Sequence, residues 1–112
     1  MTNRKQALIE LRDKVKAGEW FPGLAQAAIG GVQAYHHARK AFEGSLDAAK
    51  AMHEAVLPGW SGEARMSGFG GGQAAVWNPM KRPGQDFRVD SQDPARAWLI
   101  AILEALIAQE DT

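Results

Sequence analysis

Apolar positions along the chain fall into two kinds of period. Ala7, Leu8, Leu11 and Val15 recur at helical spacing and predict a first helix over about 3–17. Thr2 or Asn3 suits its N-cap and Gly18 its end. Residues 19–44 are less regular. Trp20, Phe21, Pro22 and Gly23 read as a turn that buries aromatics, and the glycine pair Gly30-Gly31 interrupts an otherwise helix-compatible stretch. One or two short helices are expected there, with Val32, Tyr35 and Phe42 on related faces of the later one. Ser45 is a natural N-cap for the next helix, whose buried face is expected to hold Leu46, Ala49, Met52 and Val56 before Pro58-Gly59 stops it.

From Trp60 the period shortens to two. Trp60, Gly62, Ala64 and Met66 alternate with Ser61, Glu63, Arg65 and Ser67, which predicts a strand. The run Gly68-Phe69-Gly70-Gly71-Gly72 is a hairpin-type connection to a second strand over 74–77. Asn78-Pro79 ends that strand, and Lys81-Arg82-Pro83-Gly84 forms another turn. Asp86 to Asp90 alternate cleanly, with Phe87 and Val89 inward. The last helix is the strongest element: Asp93 caps it, Pro94 occupies its first position, and it runs over 95–108. Trp98, Leu99, Ile102, Leu103, Leu106 and Ile107 form a wide stripe, and Ile100 and Ala101 extend it nearly all round. Such a helix is buried on more than one side. It lies either between the sheet and the earlier helices or against a second copy of itself. The expected fold is therefore α+β: a three-stranded antiparallel β-meander packed against a long C-terminal helix and two or three N-terminal helices.

Composition narrows the function classes. The chain has 112 residues, 13 Lys+Arg, 13 Asp+Glu and no cysteine. One domain over 1–112 is expected, divided into an N-terminal helix with a variable helical or loop segment (1–43) and a helix–meander–helix unit (44–108). Balanced charge with 46% apolar residues excludes disorder as the main state and a globally basic nucleic-acid binder. The lack of cysteine removes thiol catalysis and thiolate zinc sites, and suits a reducing compartment. The longest apolar run spans the seven residues 97–103, short of a membrane span. A soluble, intracellular protein without membrane contact is expected. The first 16 residues are basic (Arg4, Lys5, Arg12, Lys14 and Lys16 against Glu10 and Asp13) and the C-terminus is acidic, so the two ends either pair or stay solvated.

Two segments, GSLDAAKAMHEAVLPGW at 44–60 and DPARAWLIAIL at 93–103, together with the helix–meander–helix layout between them, resemble the phage ABA-sandwich domain family. The resemblance covers roughly 44–108. It implies helices packed on a small sheet, an origin in a phage or prophage, and so a place in the host bacterial cytoplasm. It carries no catalytic residues with it. It gives Leu46, Leu57, Trp60, Ala97, Leu99 and Ile102 core roles, and Pro58-Gly59 a turn.

Candidate chemistry is sparse. His36, His37 and His53 lack metal-ligand spacing, so no metal and no cofactor are expected. Ser61 or Ser67, Glu63 and His53 form a triad only on paper, since no nucleophile elbow surrounds either serine. No enzyme is expected. The glycine loop lacks the strand-to-helix context and the lysine of a phosphate loop, and reads as a hairpin with Phe69 at its tip. Four tryptophans are many for so small a chain, and Trp20 and Trp77 are candidate interaction anchors. The candidate binding residues are therefore Trp20, Phe69, Trp77, Lys81 and Arg82. The first reading is a non-enzymatic binding module for a host or phage protein, such as a modulator of a host factor or defence system. The second is a small-molecule, nucleotide-like binder with a polar pocket near Arg65, Gln73 and Arg88 and the glycine loop as lid. Weak nucleic-acid binding comes third. A homodimer through the helix at 95–108 is expected if its second apolar side finds no cover within the chain.

Overall fold

The computed structural model describes residues 3–66, 71–80 and 86–110. Helix α1 (Arg4–Lys16) starts where the Asn3 side chain accepts from Gln6 N at 2.8 Å, and buries Ala7, Leu8, Leu11 and Val15 as their spacing predicts. Residues 19–44 form two helices, α2 (Pro22–Ile29) and α3 (Val32–Phe42). Pro22 takes the first helical position, so the aromatic turn is shorter than expected. Gly30 separates the helices in a left-handed conformation at φ 82°, which glycine reaches without the Cβ penalty.

Helix α4 (Leu46–Val56) is capped by Ser45, whose hydroxyl accepts from Ala48 N at 3.1 Å. Its buried face is Ala48, Ala49, Met52 and His53. Leu46 is exposed, contrary to both the periodicity and the resemblance, because the buried face of α4 is turned toward Ala48, Ala49 and Met52 and Leu46 falls at its margin. The core role expected of Leu57, Ala97, Leu99 and Ile102 holds.

Strands β1 (Ser61–Met66), β2 (Gly72–Trp77) and β3 (Phe87–Ser91) form an antiparallel meander in the order β1-β2-β3. Strand β2 begins at Gly72, two residues before the expected start, and Gly72 is buried. A Cβ there would fall 2.1 Å from Pro94 N and 2.3 Å from the Asp93 carbonyl carbon. Gly72 is thus a point of backbone-to-backbone contact rather than part of a loose loop.

Helix α5 (Pro94–Gln109) begins with the Asp93 side chain accepting from Arg96 N at 2.8 Å. The inner face of the sheet packs on one side of α5, while α1, α3 and α4 pack on the other and α2 rests on α1 and α3. Ala95, Ala97, Leu99 to Leu103, Ala105 and Leu106 are all buried. Both apolar sides of α5 are covered within the chain, so the condition for a dimer through this helix is not met. Basic and acidic ends meet where Arg4 pairs with Glu110 at 3.2 Å, and Lys16 pairs with Glu104 at 3.2 Å. Among the described residues no helix is long and apolar enough to cross a membrane.

Candidate functional site: the outer face of the sheet

Among the described residues, helix covers the meander on one face only. In the strand register, Gly62 stands beside Val76 and Phe87, and Ala64 beside Ala74 and Val89. These positions face α5 and the helices behind it. The alternate positions form two rows on the outer face. Glu63, Ala75 and Arg88 make one row; Arg65, Gln73 and Asp90 make the other. Trp77 lies further along β2 on the same face, beside Ser61.

These side chains interact with one another. Arg88 reaches Glu63 at 4.0 Å and Asp86 at 3.6 Å, and Arg65 donates to the Gln73 side-chain oxygen at 3.2 Å. The Glu63–Arg88 pair spans Ala75, which is only 2% exposed although it points away from α5. Small Ala75 between longer neighbours leaves a shallow depression of about 260 Å³ along β2. Arg65, Gln73 and Arg88, expected to lie near one another, do line it together. Glu63 and Asp90 complete its rim, a role that the sequence pattern alone does not assign. The signal is present in the loose alternation of β1 and the clean alternation of β3, but only the pairing register shows that their outward residues share one surface.

The expected anchors separate. Trp77 stands on the outer face, half-buried. Trp20 lies instead beside α3, its ring 5.4 Å from Phe42 and 6.2 Å from Tyr35, packed against the core. Phe69, Lys81 and Arg82 lie outside the described residues, as does most of the glycine loop.

His36 and His37 stand side by side on α3 and His53 on α4, and among the described residues no group of three or more His, Cys, Asp or Glu could hold a metal. His53 is only 6% exposed and has two partners: Trp98 Nε1 donates to its Nδ1 at 3.2 Å, and its Nε2 lies 2.9 Å from Trp60 O. An indole N–H only donates and a carbonyl only accepts, so the proton sits on Nε2. Its Cε1 packs beneath Gly62, whereas Ser61 and Glu63 face the opposite side of the sheet. Ser61 and Glu63 therefore form no triad with His53, and Ser67 lies outside the described residues. No family model, no curated protein and no solved structure matches this chain.

Proposed function

We propose that the chain is a non-enzymatic binding module whose working surface is the outer face of its sheet. The observation that carries this reading is the one-sided cover of the meander. Trp77, Arg65 and Arg88 gather on the face that, among the described residues, no helix occupies. Trp and Arg dominate the energetics of protein interfaces, because each offers a large contact area together with directed polar groups. Interleaved Glu63 and Asp90 dilute the positive potential that a nucleic acid would need, and favour a protein partner. The structural use of both His53 nitrogens adds weight to binding over catalysis.

The resemblance of segments 44–60 and 93–103 to the phage ABA-sandwich domain family supports a setting. The protein is an accessory product of a phage or prophage, active in the bacterial cytoplasm on a host factor, a defence system or another phage protein. The test is affinity capture from the producing bacterium with the tagged full chain and its Trp77→Ala and Arg88→Ala variants. Stoichiometric capture that both substitutions abolish, with unchanged circular dichroism, is the expected result. Capture indifferent to both would remove this face from the reading.

A second reading is favoured by the depression around Arg65, Gln73 and Arg88, which suits a small anionic ligand such as a nucleotide. A nucleotide panel would then raise the melting temperature of the wild type and not of Arg65→Ala. No shift across the panel counts against it.

A further inference from the structure

The charges on the outer face form a checkerboard. At the level of Ala75, β1 carries an acid (Glu63) and β3 a base (Arg88). At the level of Gln73 the signs reverse, with Arg65 on β1 and Asp90 on β3. This arrangement has a consequence for a second copy of the same surface. Turn a copy face to face about an axis running along β2. Its β3 then lies over β1 of the first copy, level for level. Glu63 meets Arg88, Arg65 meets Asp90, and each pairing occurs twice by symmetry. Along the axis Ala75 meets Ala75, leaving room for the backbones to approach, and Trp77 meets Trp77. Each of the four charges in these two rows finds its opposite, with Asp86 standing outside them beside Arg88, and this is the self-complementarity an isologous two-fold contact requires.

We infer that the outer sheet face pairs with a second copy of this chain, forming a face-to-face homodimer distinct from any contact through α5. The inference rests on the reading of this face as a binding surface, and adds a second copy of the chain as an occupant of it. The face spans strands of six, six and five residues. Such an area falls at or below the low end of stable interfaces, about 1,200 Å² in total, so the dimer is weak and exchanging. Its contacts are exposed ion pairs, so it is sensitive to salt.

The experiment is analytical ultracentrifugation of the full chain from about 50 to about 500 mM salt. The wild type should self-associate at low salt and dissociate as salt rises. Glu63→Arg and Arg88→Glu should each weaken association by at least roughly tenfold, because each sets like charges across the axis twice. An equimolar mixture of the two variants should recover it, since the reversed residue of one then faces the reversed residue of the other. The double variant Glu63→Arg/Arg88→Glu should also associate. Circular dichroism of each variant separates lost pairing from lost folding. A wild type that stays monomeric at low salt overturns the inference, as does a mixture no better than its components. If capture of another protein still requires Trp77 and Arg88 in that case, the binding-module reading stands alone. If nothing depends on the face, both fail.

Discussion

A Cβ on Gly62 would lie 2.8 Å from Cε1 of His53 and 3.1 Å from its Nδ1. The imidazole therefore occupies the space that any side chain at position 62 would need. Gly62→Ala should force the ring off its two hydrogen bonds and destabilise the fold by about 1–3 kcal/mol. Urea denaturation checks this. An unchanged midpoint would mean that the ring relocates at no cost.

Trp98 donates to His53 Nδ1 and fixes the tautomer. Nitrogen-15 NMR should show Nε2 protonated and Nδ1 bare in the wild type. Trp98→Phe keeps an aromatic ring at the position but leaves His53 Nδ1 without its donor, for an expected loss of about 1–3 kcal/mol. The opposite tautomer in the wild type would contradict the geometry.

Gly72 touches the backbone of Asp93 and Pro94, which cannot rotate away as a side chain can. Gly72→Ala should therefore be costlier than Gly62→Ala, exceeding the usual overpacking range of about 1–3 kcal/mol. Thermal melts of the two variants side by side give the order. Equal melting points would refute the distinction.

Arg96 holds α3 against α5. One of its terminal nitrogens donates to Phe42 O at 3.0 Å, the other to the Gln92 side chain at 3.1 Å, and its guanidinium lies 4.3 Å above the Phe42 ring. Lysine supplies the charge but neither the fork nor the flat stacking surface. Arg96→Lys should therefore lose most of what Arg96→Ala loses, about 1–3 kcal/mol for a charged hydrogen bond with its stacking. Full rescue by lysine would show that charge alone matters.

Arg88 is the contrasting case. Its pairs with Glu63 and Asp86 are exposed, so Arg88→Ala should shift stability by less than about 0.5 kcal/mol. A large loss would show that the outer face is part of the scaffold rather than a surface free to bind.

Elements with strong local signals are legible in the residues themselves. The caps at Asn3, Ser45 and Asp93 hold as the residue types predict, and Phe87 and Val89 face inward as their alternation demands. Boundaries differ where a local rule meets a tertiary one. Leu46 fits the α4 period yet stays exposed, and Gly72 has the local character of a loop yet lies in a strand pressed against the start of α5. For Trp20 and Trp77 composition offers no distinction, because each partner lies far away in sequence or across a sheet.

The sequence by itself determined that α1, α4 and α5 are helices with three strands between the last two, where the capped helices begin, and that α5 must be buried on more than one side, while 19–44 stayed open between one short helix and two. These follow from interactions within a few residues and from the period of the apolar groups. Tertiary structure alone decided that sheet and helices together cover α5, that His53 is held between Trp98 and Trp60, and that Glu63 and Asp90 join Arg65 and Arg88 on one surface. Those relations depend on strand register and on contacts between distant segments, and no local pattern of residues encodes which distant groups will meet.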